Sequence, residues 1–154
     1  MSLEGDQRIN VHANCEEAFI WACEYNQLEV VKLLLSLEGD RRVDVRVKYD
    51  LAFRTACANN NIKVVKLLLS LEGDRRVNIH MNNDIIFIDA CCNGFLEIVK
   101  LLLSLEGDRR IDVHSMYDMA FWRACYNKRL GVVKLLLSLE EDRKINVYDK
   151  KIKN

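Results

Sequence analysis

No sign of charge prevails in this 154-residue chain, in which Lys plus Arg and Asp plus Glu each number 23. A balanced chain has no bulk field to draw in nucleic acid or an anionic membrane, so neither partner is expected. Long apolar runs are lacking too. Stretches such as VVKLLL are broken by lysine and fall far short of the ~20 residues that span a bilayer. The opening MSLEGDQR is charged and holds no apolar signal-peptide segment, so no export signal is visible. No C-x-x-C occurs, which removes the usual zinc spacing, and no glycine-rich loop is available to cradle a phosphate. These absences predict an intracellular chain in a reducing, cytoplasmic compartment, with no metal and no cofactor. What is abundant is apolar surface: half the residues are apolar, enough for one continuous core.

That apolar content is arranged periodically. KLLLSLEGDRR runs from Lys32 to Arg42 and recurs unchanged from Lys66 and from Lys100, with KLLLSLEEDRK from Lys134. The period of 34 also aligns Phe19, Phe53, Phe87 and Phe121, and it aligns Cys23, Cys57, Cys91 and Cys125. A period this strict means stacked units and a single array over residues 1–154, with repeats at 7–38, 41–72, 75–106 and 109–140 and a partial unit at 141–154. Within a unit, Phe19, Ala22 and Cys23 fall on one face of a short helix. Glu16, Asp50, Asp84 and Asp118 stand just before it, where a carboxylate is expected to cap orphan amides. A break at Asn26, Asn60 or Gly94 leads to a second helix, LEVVKLLLSL, which must be covered on several sides and which includes Ser36. Gly39, Gly73 and Gly107 are expected at its C-terminus with positive φ. RRVDV then alternates as a short extended arm.

Helix, turn, helix and arm in this order resemble the ankyrin-repeat family over the whole chain. The Ala22-Cys23 pair, the LEVVKLLL helix and the Asp44-Val45 step carry the resemblance. The usual T-P-L-H opening is absent: EAFI, LAFR, IIFI and MAFW stand in its place, and the chain has no proline. The fold expected is all-α, an ankyrin-type solenoid of about four stacked repeats with short extended hairpin arms. The resemblance implies an intracellular adaptor or host-interaction role, with a protein segment as ligand.

Two columns invite chemistry. Cysteines one repeat apart start at helix-packing distance, ~8–10 Å, too far for a disulfide, and small apolar cysteine fits where helices approach closely. All six thiols, Cys15 and Cys92 included, are expected to be free. His12, His80 and His114, with Arg46 between, follow Asn10, Asn78 and Asp112 by two residues. No nucleophile accompanies them, so they read as hairpin-tip hydrogen bonding, and no enzyme is expected.

The variable columns are where a protein partner is expected. Trp21, Tyr25, Arg54, Asp89, Trp122, Arg123 and Tyr126 point away from the buried stripe on the first helices, while Tyr49, Met81 and Tyr117 project from the arm tips. Solenoids bind through the concave surface that such columns form, and Trp, Tyr and Arg are enriched at hot spots. The rival reading is a structural or self-associating segment of a longer array. MSLEGDQR reads as the tail of a further second helix, and the last repeat lacks a polar outer face. Glu141 and Lys128 replace turn residues there, and Leu130, Val133 and Leu137 are expected to meet water unless the INVYDKKIKN tail or a neighbour covers them.

Overall fold

The structure, a computed structural model, describes residues 10–14 and 16–146, and among them it contains eight α-helices and no strand. They gather into two compact units, Met1–Asn78 and Ile79–Asn154. The first holds α1 (Glu17–Glu24), α2 (Leu28–Leu35), α3 (Val47–Ala58) and α4 (Ile62–Leu69). The second holds α5 (Ile85–Asn93), α6 (Leu96–Leu103), α7 (Ser115–Tyr126) and α8 (Leu130–Leu137). In unit one α1 packs on α2 and α3, and α2 packs on α4; unit two repeats the arrangement with α5 to α8.

Most of these helices span only eight or nine residues, too few to be stable in isolation, so packing of their apolar stripes has to hold them. Phe19, Ala22 and Cys23 of α1 are buried, as are their equivalents on α3 and α5. The turn between paired helices uses the left-handed conformation at Asn26, Asn60, Gly94 and Lys128, as the residue types predicted for the first three.

The second helix ends earlier than its sequence suggests. It stops at Leu35, and Ser36 is its C-cap, its hydroxyl donating to the Leu33 carbonyl at 2.7 Å; Ser70, Ser104 and Ser138 do the same. The glycines are consequently not at the helix end. Gly39 opens a separate 3-10 turn, Gly39–Arg41, reached through extended Glu38, and its φ of 62° makes that reversal. Nothing lies within 4 Å of a Cβ built on Gly73, so a side chain there strains only the backbone, by ~1–2 kcal/mol. Glu141 carries that strain at φ 55°. Glu141→Gly is therefore expected to raise stability by about 1 kcal/mol, and Gly73→Ala to lower it by about the same amount. Urea unfolding of both variants checks this; an unchanged midpoint for Glu141→Gly would contradict it.

The arms are extended but form no ladder among the described residues. Val43 and Val45 point inward and are buried while Asp44 is exposed, which is the alternation expected. In place of a β-hairpin, the tip is a left-handed turn. Lys48, Tyr49 and Asp50 have φ of 51°, 59° and 55°; Met116, Tyr117 and Asp118 have 53°, 60° and 60°; Asn82, Asn83 and Asp84 match them. Regular helix starts only after the third of these residues.

Candidate binding surface

The acidic column at the foot of the first helix has a different task from the one predicted. Glu16 and Asp84 make no helix-capping bond, because their left-handed backbone turns the carboxylate away from the helix amides. Each reaches the arm of the following repeat instead. The Asp44 amide donates to Glu16 Oε1 (3.0 Å), the Asn78 amide to Asp50, and the Asp112 amide to Asp84 Oδ2 (3.2 Å). Glu16, Asp50 and Asp84 are buried, so these bonds form away from water, where losing one is costly. Burial pushes the Asp50 carboxyl above its ordinary range, against the Asn78 amide and the Arg46 guanidinium.

The histidine column completes this seam. Nδ1 of His12, His80 and His114 lies 2.5 to 2.7 Å from Glu16, Asp84 and Asp118, and Nε2 lies 2.8 to 2.9 Å from the carbonyls of Asp40, Asp108 and Asp142. The partner is therefore the carboxylate four residues on; Asn10 and Asp112, two residues before, accept instead from the histidine backbone amide. Both ring nitrogens face acceptors, so the imidazole ties two repeats together and has no nitrogen left over for proton transfer. For His12 and His114 the facing carboxylate, with the carbonyl, raises the pKa above 6.5. A raised pKa stabilises the fold fully below about pH 6.5, the unfolded value, and the contribution is lost as pH rises through the folded one. The thermal midpoint should accordingly fall from pH 6 towards pH 9 through this pair. His12→Gln with His114→Gln should flatten that part of the profile, and an unaltered slope would remove the histidines from the seam.

Charged side chains from the link add further ties. Arg42 makes a two-pronged pair with Asp74 (2.6 and 2.8 Å), and Arg110 makes the same pair with Asp142 (2.6 and 2.7 Å). Arg75 Nη1 donates to the Leu35 carbonyl and Arg143 Nη1 to that of Leu103, both at 2.9 Å, satisfying the ends of helices in the preceding repeat. The Asn61 amide group donates to the carbonyls of Cys23 and Glu24, and Arg129 Nε to that of Cys92. None of these last four donors was singled out from sequence. For Arg75 and Arg143 an unbroken arginine column was the available signal; the column of Asn61 and Arg129 reads Gln, Asn, Phe, Arg and gave none.

The residues expected to meet a partner are distributed as follows. In unit one Trp21 and Tyr25 are exposed one helical turn apart on α1 and its end, Tyr49 is exposed on the tip, and Arg54 is half-buried, its charge acting on Asp50. In unit two Asp89 and Arg123 approach across two repeats at 3.8 Å, Tyr117 is exposed on the tip, and Met81 is half-buried. Trp122, Arg123, Cys125 and Tyr126 line a shallow, largely apolar depression on α7. Trp122 is less free than helical spacing suggested. It is 37% exposed and sits edge-on to Phe121 with ring centroids 5.3 Å apart. Its equivalents Ile20 and Ile88 are buried to 5% and 1%, so this column borders the stacking interface.

Cys23 and Cys57 are buried thiols that desolvation pushes up to about 12, and Cys91 is pushed up as well, so none is a ready nucleophile. Cys125 is exposed, Cys92 is half-exposed, and Cys15 lies outside the described residues. Among the described residues no helix is long and apolar enough to cross a membrane.

Paired short helices, a left-handed turn and an extended arm, repeated at a fixed period, define a protein of helical repeats. The family described as Ankyrin repeats (3 copies) matches residues 3–79 and 53–149, and the chain belongs to it. No curated protein and no solved structure matches the chain. Ankyrin repeats are generally protein–protein interaction modules.

Proposed function

We propose that the chain is a non-catalytic module that binds a segment of another protein through the exposed face of its first helices and the tips beside them. One observation carries this reading: Trp21, Tyr25, Tyr49, Tyr117 and Tyr126 are all exposed. Large exposed aromatics present much contact area with few torsions to fix, and they concentrate at interface hot spots. Asp89 and Arg123 add a polar element beside the depression on α7, suited to orienting a peptide. The histidine–carboxylate pairs, engaged on both nitrogens, serve the fold.

The test is affinity capture under reducing conditions followed by identification of the bound protein. Trp21→Ala with Tyr25→Ala, or Arg123→Ala with Tyr126→Ala, is expected to weaken binding at least thirtyfold, the equivalent of ~2 kcal/mol at a hot spot. The unfolding midpoint should stay nearly unchanged, since exposed substitutions usually alter folding by less than ~0.5 kcal/mol. Capture that survives both double variants would place the binding face elsewhere.

A further inference from the structure

The end of α1 departs from a column that is otherwise constant. Asn59, Asn93 and Asn127 each fold back at the end of a first helix, their side-chain amides donating to the carbonyls of Thr55, Asp89 and Arg123 at 2.8 to 2.9 Å. In repeat 1 that place is taken by Tyr25. A phenol makes no such return, and the ring stands 67% exposed, one helical turn beyond Trp21, which is 53% exposed. Exposure here belongs to the columns and not to a place in the array: Asn59 of repeat 2 and Asp89 and Asn93 of repeat 3 are exposed as well.

An acid accompanies the two rings. Glu24 lies three residues after Trp21 and next to Tyr25, so helical spacing sets its carboxylate beside the indole. It is half-buried, and its side chain has no hydrogen-bond or ionic partner among the described residues. The other carboxylates of α1 and α2 are engaged: Glu17 accepts from the Asn14 amide group and Glu29 from the Lys32 ammonium. Arg54, on the neighbouring α3, directs its charge to Asp50. In the columns of the trio, repeat 2 carries only the short side chains of Thr55, Ala58 and Asn59. The backbone beneath is held from that repeat, buried Asn61 donating to the carbonyls of Cys23 and Glu24 at 2.9 and 2.7 Å.

We propose that Trp21, Glu24 and Tyr25 form a seat for one cationic side chain of the bound protein segment, arginine ahead of lysine. The inference rests on the protein-binding reading above and gives it a charge preference. A cation is attracted both by the ring faces of Trp and Tyr and by the carboxylate beside them. Arginine fits better because its guanidinium is flat enough to lie on a ring while its N–H groups fork to a carboxylate, and it is less strongly hydrated than an ammonium. A neutral side chain gains only the ring contact. An acidic one is repelled by Glu24.

The test is a nuclear magnetic resonance titration of the isotope-labelled full chain with short alanine–glycine peptides, identical but for a central Arg, Lys, Gln or Glu. The Arg peptide is expected to shift the indole N–H of Trp21 and the amides of Glu24 and Tyr25, and to bind about tenfold more tightly than the Gln peptide. The Lys peptide should fall between them, and the Glu peptide should leave these signals in place. Glu24→Gln should weaken the Arg peptide about tenfold, and Glu24→Lys should abolish its binding. Both variants should keep the wild-type circular dichroism, because the Glu24 side chain makes no internal bond. Equal affinities for the Arg and Gln peptides, or an Arg response unchanged by Glu24→Gln, would overturn the cation seat and leave the binding face standing. Silence towards all four peptides would overturn the seat as well. The face itself is judged separately, by whether partner capture survives the double variants described above.

Discussion

Asp84→Ala is expected to destabilise the chain by about 3 kcal/mol, the combined cost of leaving a buried amide without its acceptor and of placing alanine on a left-handed backbone. The carboxylate is 4% exposed, accepts the Asp112 amide and lies 2.7 Å from His80 Nδ1. Truncation leaves that amide without its acceptor inside the seam. It also removes a residue type that tolerates the left-handed backbone at φ 59° and substitutes one that does not. Asp84→Asn keeps an acceptor oxygen and the same backbone tolerance, and should cost about half as much. Urea unfolding followed by circular dichroism distinguishes the two. A loss below about 1 kcal/mol for the alanine variant would mean that apolar packing alone holds the repeats together.

Phe53→Ala should cost about 4 kcal/mol. Phe53 is fully buried on α3 in unit one. Its helix packs on both α1 and α4, so the lost ring weakens packing within the unit. Leu137→Ala removes an aliphatic side chain that is half in water, and should cost less than about 1 kcal/mol in dilute solution. Equal losses at the two positions would show that Leu137 is covered in solution.

How far the sequence could be read depended on whether a residue's partner was local. The helices were legible because Phe19, Ala22 and Cys23 recur at helical spacing, and the turn at Asn26 because its residue types favour positive φ. Glu16, Asp50 and Asp84 were misassigned. A carboxylate before a helix suggests a cap, but its own left-handed backbone turns it towards an amide 28 positions away, which no local rule anticipates. Gly39 was given to the helix end on the strength of its positive φ, which is real, while Ser36 closes the helix three residues earlier. The exposed aromatics were legible by elimination, since they face away from an evident stripe. Trp122 was the exception, because its column reads Ile, Arg, Ile, Trp and mixes buried with half-exposed members. The seam arginines stood in view as an unbroken column, but charge in a linker reads by default as a solvated surface.

The left-handed tips bear on how such a chain can change. Lys48-Tyr49, Asn82-Asn83 and Met116-Tyr117 share almost no side-chain chemistry, yet their φ values agree within about 12°. The geometry is set from below, by the carboxylate that follows each pair, buried at Asp50 and Asp84 and half-buried at Asp118, and hardly by the pair itself. Asparagine is the type that tolerates this backbone best; lysine, tyrosine and methionine occupy it at a conformational cost of ~1–2 kcal/mol apiece. The tip thus works as an interchangeable cassette on a fixed mount. Its two leading letters can be rewritten one repeat at a time to present new side chains at a preset angle, provided the acidic residue beneath them is left in place.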